Sequence, residues 1–268
     1  MSGSDSSIRV SEYCCAGGKK EVPRHPSCID DLEIQSEDDR RKRMLFAPLG
    51  NSPVAPRLAV VGITPGGQVE RFFSLLPTHG VAKSAHLAAF SGADTAIKQL
   101  LEAHGFLATL GISYCGSIND CPDIFTTSLV KCCMTVNGSY KYKAPDIEAS
   151  EMATRCVTRR FIGDIDRYQS MSHIAIFGAP GWDAIREIKV DGTSILDRLR
   201  GRGLRVLNFP HFSQNYQQRA LFRLFPDRDA SFLKDYPKYR PYHAGAAEMR
   251  FSVLNEVKRL QSSSAATT

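Results

Sequence analysis

Four short apolar runs, each closed by turn-forming residues, alternate with amphipathic stretches along this chain. Residues 58–63 (LAVVGI) are apolar around Gly62 and break at Thr64-Pro65-Gly66-Gly67. Residues 124–130 (IFTTSLV) are rich in β-branched side chains, which favour strands. Residues 173–178 (HIAIFG) and 205–209 (RVLNF) are the third and fourth runs, and the last leads into Pro210-His211-Phe212-Ser213-Gln214-Asn215. Runs of this length between turn residues predict buried strands, and the first reads as parallel. Apolar residues at helical spacing predict helices over 69–76 and 96–106, with residues 77–89 as a loop between them. Residues 145–168 predict a long helix, with Pro145 near its first turn and Asp146 and Glu148 where the helix dipole favours acids. Helices are also predicted over 182–188 and 244–260.

This order of strands and helices predicts an α/β protein, three-layer α/β/α, with a short, mainly parallel four-stranded central sheet. Residues 1–50 read as an irregular, cysteine-containing segment, 51–260 as the α/β domain and 261–268 as a disordered Ser/Ala/Thr tail. The charged run at 37–43 reads as a solvated helix face. In an open α/β sheet, ligands sit at the carboxyl ends of the strands. The loop after the first strand is therefore of interest. Gly66 and Gly67 let a backbone approach a ligand closely, and Pro65 fixes one φ. A helix opening directly from that loop would turn its first N–H groups toward a bound anion.

Composition narrows the classes. The chain has 268 residues, 43% of them hydrophobic, and a net charge of +6. That is enough apolar sequence for a sizeable core, and a mild basic excess compatible with a polyanion. No apolar run is long enough to span a bilayer, and the N-terminus lacks the apolar core of a signal peptide, so no membrane partner and a cytoplasmic or nucleoid-associated location are expected. The eight cysteines are then expected to be reduced or to bind metal. There is no G-x-G-x-x-G, no G-x-x-x-x-G-K-[ST] and no G-x-S-x-G, which argues against a dinucleotide fold, a P-loop and an α/β hydrolase.

Two strand ends carry the chemistry, Gly62-Ile63-Thr64-Pro65-Gly66 and His211-Phe212-Ser213-Gln214-Asn215. With them the chain resembles the uracil-DNA glycosylase superfamily, whose first motif has the form G-x-[D/N/E]-P-[G/Y] and whose second has the form H-P-S-x-x-N. Phe90-Ser91-Gly92 resembles the F-x-G element of the superfamily's iron–sulfur class, and residues 127–132 (TSLVKC) resemble its T-N-V-V-K-C strand. The likeness spans about residues 58–215. It implies a monomeric DNA-repair hydrolase that binds single- or double-stranded DNA, flips a base out of the stack and cuts its N-glycosidic bond in base excision. Such a reaction needs a polar group near the sugar and donors at the departing base. The resemblance assigns His211 as the donor to the base and Thr64 as a holder of water. It assigns Gly62, Ile63, Pro65, Gly66, Phe90 and Ser128 to the base pocket, with Phe90 stacking on the base. Backbone N–H groups near Ile63 and Thr64 would hold the base's carbonyl oxygens. Ser213, Gln214, Asn215 and Arg219 would hold DNA, with Lys141 and Lys143 as further backbone contacts.

The chain departs from the pattern at three places. Thr64 stands where an acidic or amide residue is usual, and a hydroxyl holds water but carries no charge. Ser128 stands where an asparagine reads the base, and a hydroxyl cannot pair in a bidentate way, so a base other than uracil is an open expectation. Phe212 replaces the proline of H-P-S. The chemistry itself needs no cofactor. The resemblance further implies an iron–sulfur cluster with Cys14 (or Cys15), Cys28, Cys132 and Cys156 as candidate ligands, against the alternative of reduced, partly buried thiols. The competing functional expectation is a weakened or inactive member that binds nucleic acid or a modified base without cutting it.

Overall fold

The structure is a computed structural model and describes residues 42–46, 49–136, 147, 151–212, 216–224 and 237–265. In chain order the strands are β1 (Lys42–Phe46), β2 (Leu58–Gly62), β3 (Ile124–Ser128), β4 (Cys132–Val136), β5 (His173–Phe177), the short β6 (Lys189–Val190) and β7 (Thr193–Ser194), and β8 (Arg205–Phe209). The helices are α1 (Gln68–Ala88), α2 (Asp94–Glu102), α3 (Phe106–Thr109), α4 (Glu151–Arg155), α5 (Ile162–Asp166), α6 (Ala179–Glu187), α7 (Ile195–Gly201), α8 (Tyr216–Leu224) and α9 (Arg240–Ala265).

Four strands form the central sheet in the order β3-β2-β5-β8, all parallel. Every residue of β2, β3 and β5 is buried, as expected of strands covered on both faces. Alternate side chains point to opposite layers. Ala59, Val61, Phe125, Ile174, Ile176 and Val206 join one core with side chains of α5, α6 and α7. Leu58, Val60, Ile124, Ala175, Phe177 and Leu207 join the other with side chains of α1, α2, α3, α8 and α9. The fold is thus the three-layer α/β/α expected. The chain steps from β2 to one side for β3 and then to the other side for β5. In open α/β sheets such a reversal is where ligands bind, which here points to the carboxyl ends of β2 and β5.

Several boundaries differ from the pattern reading, each for a physical reason. Residues 77–88, within the stretch read as loop, are helical. Pro77 and Gly80 look like breakers, but Gly80 absorbs the turn at φ +68°, and the helix resumes because Ser84, Ala85 and Ala88 are buried. The helix expected at 96–106 starts at Asp94 and ends at Glu102. His104 and Gly105, both at positive φ, then redirect the chain into α3. Between α4 and α5 the helix passes through a π-helical turn, Cys156–Phe161. The irregular N-terminal segment contains β1, which pairs antiparallel with β4 from Lys42↔Val136 to Phe46↔Cys132. Lys42 and Arg43 of the charged run therefore lie in a strand, not a helix. The closing helix is longer at both ends than the pattern suggested. It runs to Ala265, and Ser262, Ser263 and Ser264 donate their hydroxyls to the carbonyls of Lys258, Arg259 and Leu260.

Candidate functional site

The first strand delivers its loop to this end of the sheet. The ladder continues past β2, with Leu129 N–H donating to Gly62 O at 2.9 Å and Val130 N–H to Ile63 O at 3.0 Å. Ile63 and Thr64 are half-buried, Pro65 is buried, and Gly66 takes φ +55°. The N–H groups of Gln68, Val69 and Glu70 bond back to the carbonyls of Pro65, Gly66 and Gly67 at 3.2–3.3 Å. The Gly66 N–H bonds the buried Cys133 thiol. The expectation that the first helical N–H groups face an anion is therefore not met at these positions; turn carbonyls have taken the donors.

Gly62, Ser128 and Phe90 converge. A Cβ at Gly62 would lie 3.4 Å from Phe90 Cε1 and 3.7 Å from Ser128 Oγ. Glycine is what lets the ring tip rest on the strand end. Phe90 itself has φ +54°, a conformation that costs a bulky residue roughly 1–2 kcal/mol. Three bonds hold it there. Its N–H donates to Gln68 Oε1 at 3.1 Å, its carbonyl accepts from Ala93 N–H at 2.9 Å, and the preceding Ala89 carbonyl accepts from Asn119 Nδ2 at 2.7 Å. The ring is 4% exposed.

At the far side, His211 follows β8 and packs against the end of β5. A Cβ at Gly178 would strike His211 Cδ2 at 2.9 Å, and Gly178 has φ +98°, so only glycine fits there. Gly178 N–H donates to Phe209 O at 2.8 Å, which ties the two strand ends together. Burial pushes the His211 imidazole down to about pH 4, and the Arg219 charge acts in the same direction. The ring is therefore neutral at pH 7, with an N–H on one nitrogen. β2 and β8 flank β5, so their ends are ~10 Å apart by ordinary strand spacing, with the side-chain-free Gly178 between them.

Phe212 closes the arrangement. Its ring stacks on His211 at 4.6 Å between centroids and meets Phe90 edge-on at 5.4 Å and Phe177 at 5.8 Å. The proline-to-phenylalanine departure thus joins the two motifs into one aromatic wall. Gly178 and Phe212 are the site residues the sequence reading did not assign. A glycine ending a buried strand, and an aromatic beside the motif histidine, are the signals that point to them.

The remaining assignments separate. Arg219 lies on α8, half-buried, rather than in a loop. Ser213, Gln214, Asn215, Lys141 and Lys143 lie outside the described residues. Lys131 is not a surface cation: its ammonium bonds Thr127 Oγ1 and pairs with Asp164 Oδ2 at 2.6 Å. The Cys156 thiol accepts the Lys131 N–H at 3.1 Å, so Cys156 sits against the backbone residue that precedes Cys132. That is half of the implied cluster set; Cys14, Cys15 and Cys28 lie outside the described residues. Among the described residues no group of three or more His, Cys, Asp or Glu is arranged to hold a metal, and no helix is long and apolar enough to cross a membrane. No family model matches the chain, and no curated protein matches it.

Proposed function

We propose that this chain is a DNA base glycosylase of the uracil-DNA glycosylase superfamily, hydrolysing the N-glycosidic bond of a flipped-out uracil-like, deaminated or modified base. One observation carries the reading: the Gly62–Gly66 loop with Phe90 and Ser128, and the neutral His211 with Phe212, lie at the carboxyl end of a β3-β2-β5-β8 parallel sheet. In the proposed reaction water adds to the sugar carbon as the glycosidic bond breaks, and the base leaves with the electron pair. Charge grows on the base oxygen, where a preorganised donor lowers the barrier most. The neutral imidazole still carries one N–H that can donate to the departing base. Thr64 would hold the water, and the Ser128 hydroxyl would read the base edge with a single bond, which suits a base other than uracil. The Phe90–Phe212 wall supplies the apolar side of the pocket.

A second reading has its own support. Thr64 brings no charge to the sugar, and Phe90 at 4% exposure has little free ring face. The missing charge favours a member that binds nucleic acid or a modified base without cutting it, and the buried ring limits base stacking in either reading. Oligonucleotides carrying uracil, hypoxanthine, xanthine, mismatched thymine or a hydroxymethylated base, in single and double strands, separate the two. Abasic-site formation on one of them supports the glycosylase. Tight binding to one with no abasic sites on any supports the binding protein.

A further inference from the structure

Cys115 and Cys121 bracket a five-residue loop, Gly116-Ser117-Ile118-Asn119-Asp120. Cys115 is exposed and Cys121 is buried. The Cys121 sulfur accepts the Cys115 N–H at 2.9 Å and lies 3.7 Å from the Cys115 carbonyl. A sulfur this close to the other cysteine's backbone puts the two Cα atoms within ~7 Å, near the range in which a disulfide closes with little backbone movement. Gly116, at φ +45° with open space around it, gives the loop room to adjust.

The loop spends its polar groups on the segment that carries Phe90. Asn119 Nδ2 donates to Ala89 O at 2.7 Å and to His86 O at 3.0 Å. Asp120 pairs with His86 at 2.9 Å. Ile118 N–H and Ser117 Oγ donate to Asp94 Oδ1 at 2.8 and 3.4 Å, and Asp94 opens the helix that follows the Phe90 turn. Whatever moves this loop acts on both ends of that turn.

We propose that Cys115 and Cys121 are a reversible redox pair that closes a disulfide in response to a peroxide and so acts on the loop clamping the Phe90 turn. The exposed Cys115 reacts first. Its thiolate attacks hydrogen peroxide, the O–O bond breaks, and Cys115 becomes a sulfenic acid with release of one water after proton transfer. The Cys121 sulfur then attacks the Cys115 sulfur, the S–O bond breaks, and the hydroxyl leaves as a second water with the Cys121 proton. Two thiols and one peroxide give one disulfide and two waters, a two-electron exchange. Burial pushes the Cys121 thiol up to about 12, so the closing step accelerates as pH rises. Closure takes the Cys121 sulfur away from the Cys115 N–H.

The test uses the full chain. Trypsin releases residues 99–131 as one peptide holding Cys115 and Cys121 and no other cysteine. After hydrogen peroxide and alkylation under denaturing conditions, this peptide should be unalkylated and lighter by two hydrogens, and dithiothreitol should return it to the doubly alkylated form. Cys115→Ser should leave Cys121 open to alkylation after the same treatment. A doubly alkylated peptide after peroxide, a sulfinic acid at Cys115 beside a free Cys121, or a cross-link to another peptide would overturn the pair. Amide exchange over residues 89–93 should differ several-fold between the oxidised and reduced chains, and equal exchange would overturn the link to the Phe90 turn. Neither readout depends on base release, so this proposal and the glycosylase reading fail separately.

Discussion

Two histidines at opposite ends of the central sheet show how differently this protein treats the same side chain. His173 opens β5 at the amino end. Its Nε2 lies 3.0 Å from Glu256 Oε1 and its Nδ1 lies 2.8 Å from Ser172 Oγ. Arg259 donates to both Glu256 oxygens, with Nη2 at 2.6 Å from Oε1. His211 lies past the carboxyl end of β8 and packs on a glycine and a phenylalanine. Burial lowers the pKa of both. At His173 the hydrogen bond and charge of Glu256 work against that shift; at His211 the charge of Arg219 adds to it. One end of the sheet joins the closing helix to the core through a buried histidine–carboxylate hydrogen bond. The other keeps a neutral donor beside strained backbone and an aromatic wall. The amino end holds its histidine with a carboxylate, and the carboxyl end packs its histidine on a ring and a glycine.

Breaking the amino-end network should have the largest effect. Glu256→Ala leaves the buried His173 without its carboxylate partner, a lost charge-assisted hydrogen bond worth about 1.5–3 kcal/mol, while the part-exposed Arg259 pair adds little. Urea unfolding should show that loss. Next comes Gly178→Ala, which adds a Cβ at 2.9 Å from the His211 ring on a backbone at φ +98°. It should cost about 1–3 kcal/mol and displace His211, so base release should fall further than stability accounts for.

The pH dependence sharpens the comparison. His211 has a folded pKa of about 4 against an ordinary 6.5. Between those values the unfolded chain binds a proton that the folded chain does not. The stability tied to the neutral ring is complete above pH 6.5 and is lost as pH falls toward 4. His173 acts in the same direction. The unfolding free energy from urea titrations should fall with decreasing pH by less than about 1.4 kcal/mol per unit for one such group, because His211 is part-exposed. His211→Asn should flatten that slope. The smallest effect is expected from Phe212→Leu, which removes the ring contacts to Phe90 and His211 at a cost of about 0.5–1.5 kcal/mol. Thermal denaturation would measure it.

The strands were legible because a sheet covered on both faces demands unbroken apolar runs. Arg205–Phe209 has the predicted bounds, and Leu58–Gly62 ends one residue early. The GITPG and HF motifs were legible because they sit at strand ends. What stayed hidden depends on distant partners. Pro77 and Gly80 look like helix breakers until the burial of Ala85 and Ala88 is known. β1 is invisible without its partner β4, 86 or more residues away by register. Asn119 reads as an ordinary turn residue, yet it bonds Ala89, His86 and Thr126 at once. Phe212 reads as a lost proline until Phe90 is seen opposite. Lys131 reads as part of a basic strand end until Asp164 is seen beside it.

The most direct test of the proposed function is base release by the wild-type chain and by His211→Ala on one duplex substrate that the wild type cleaves, scored as abasic sites. Loss of a preorganised donor to the departing base should slow release at least about 100-fold while urea unfolding stays cooperative. Release at the wild-type rate by a folded His211→Ala chain would contradict the role given to His211 and the pocket built around it.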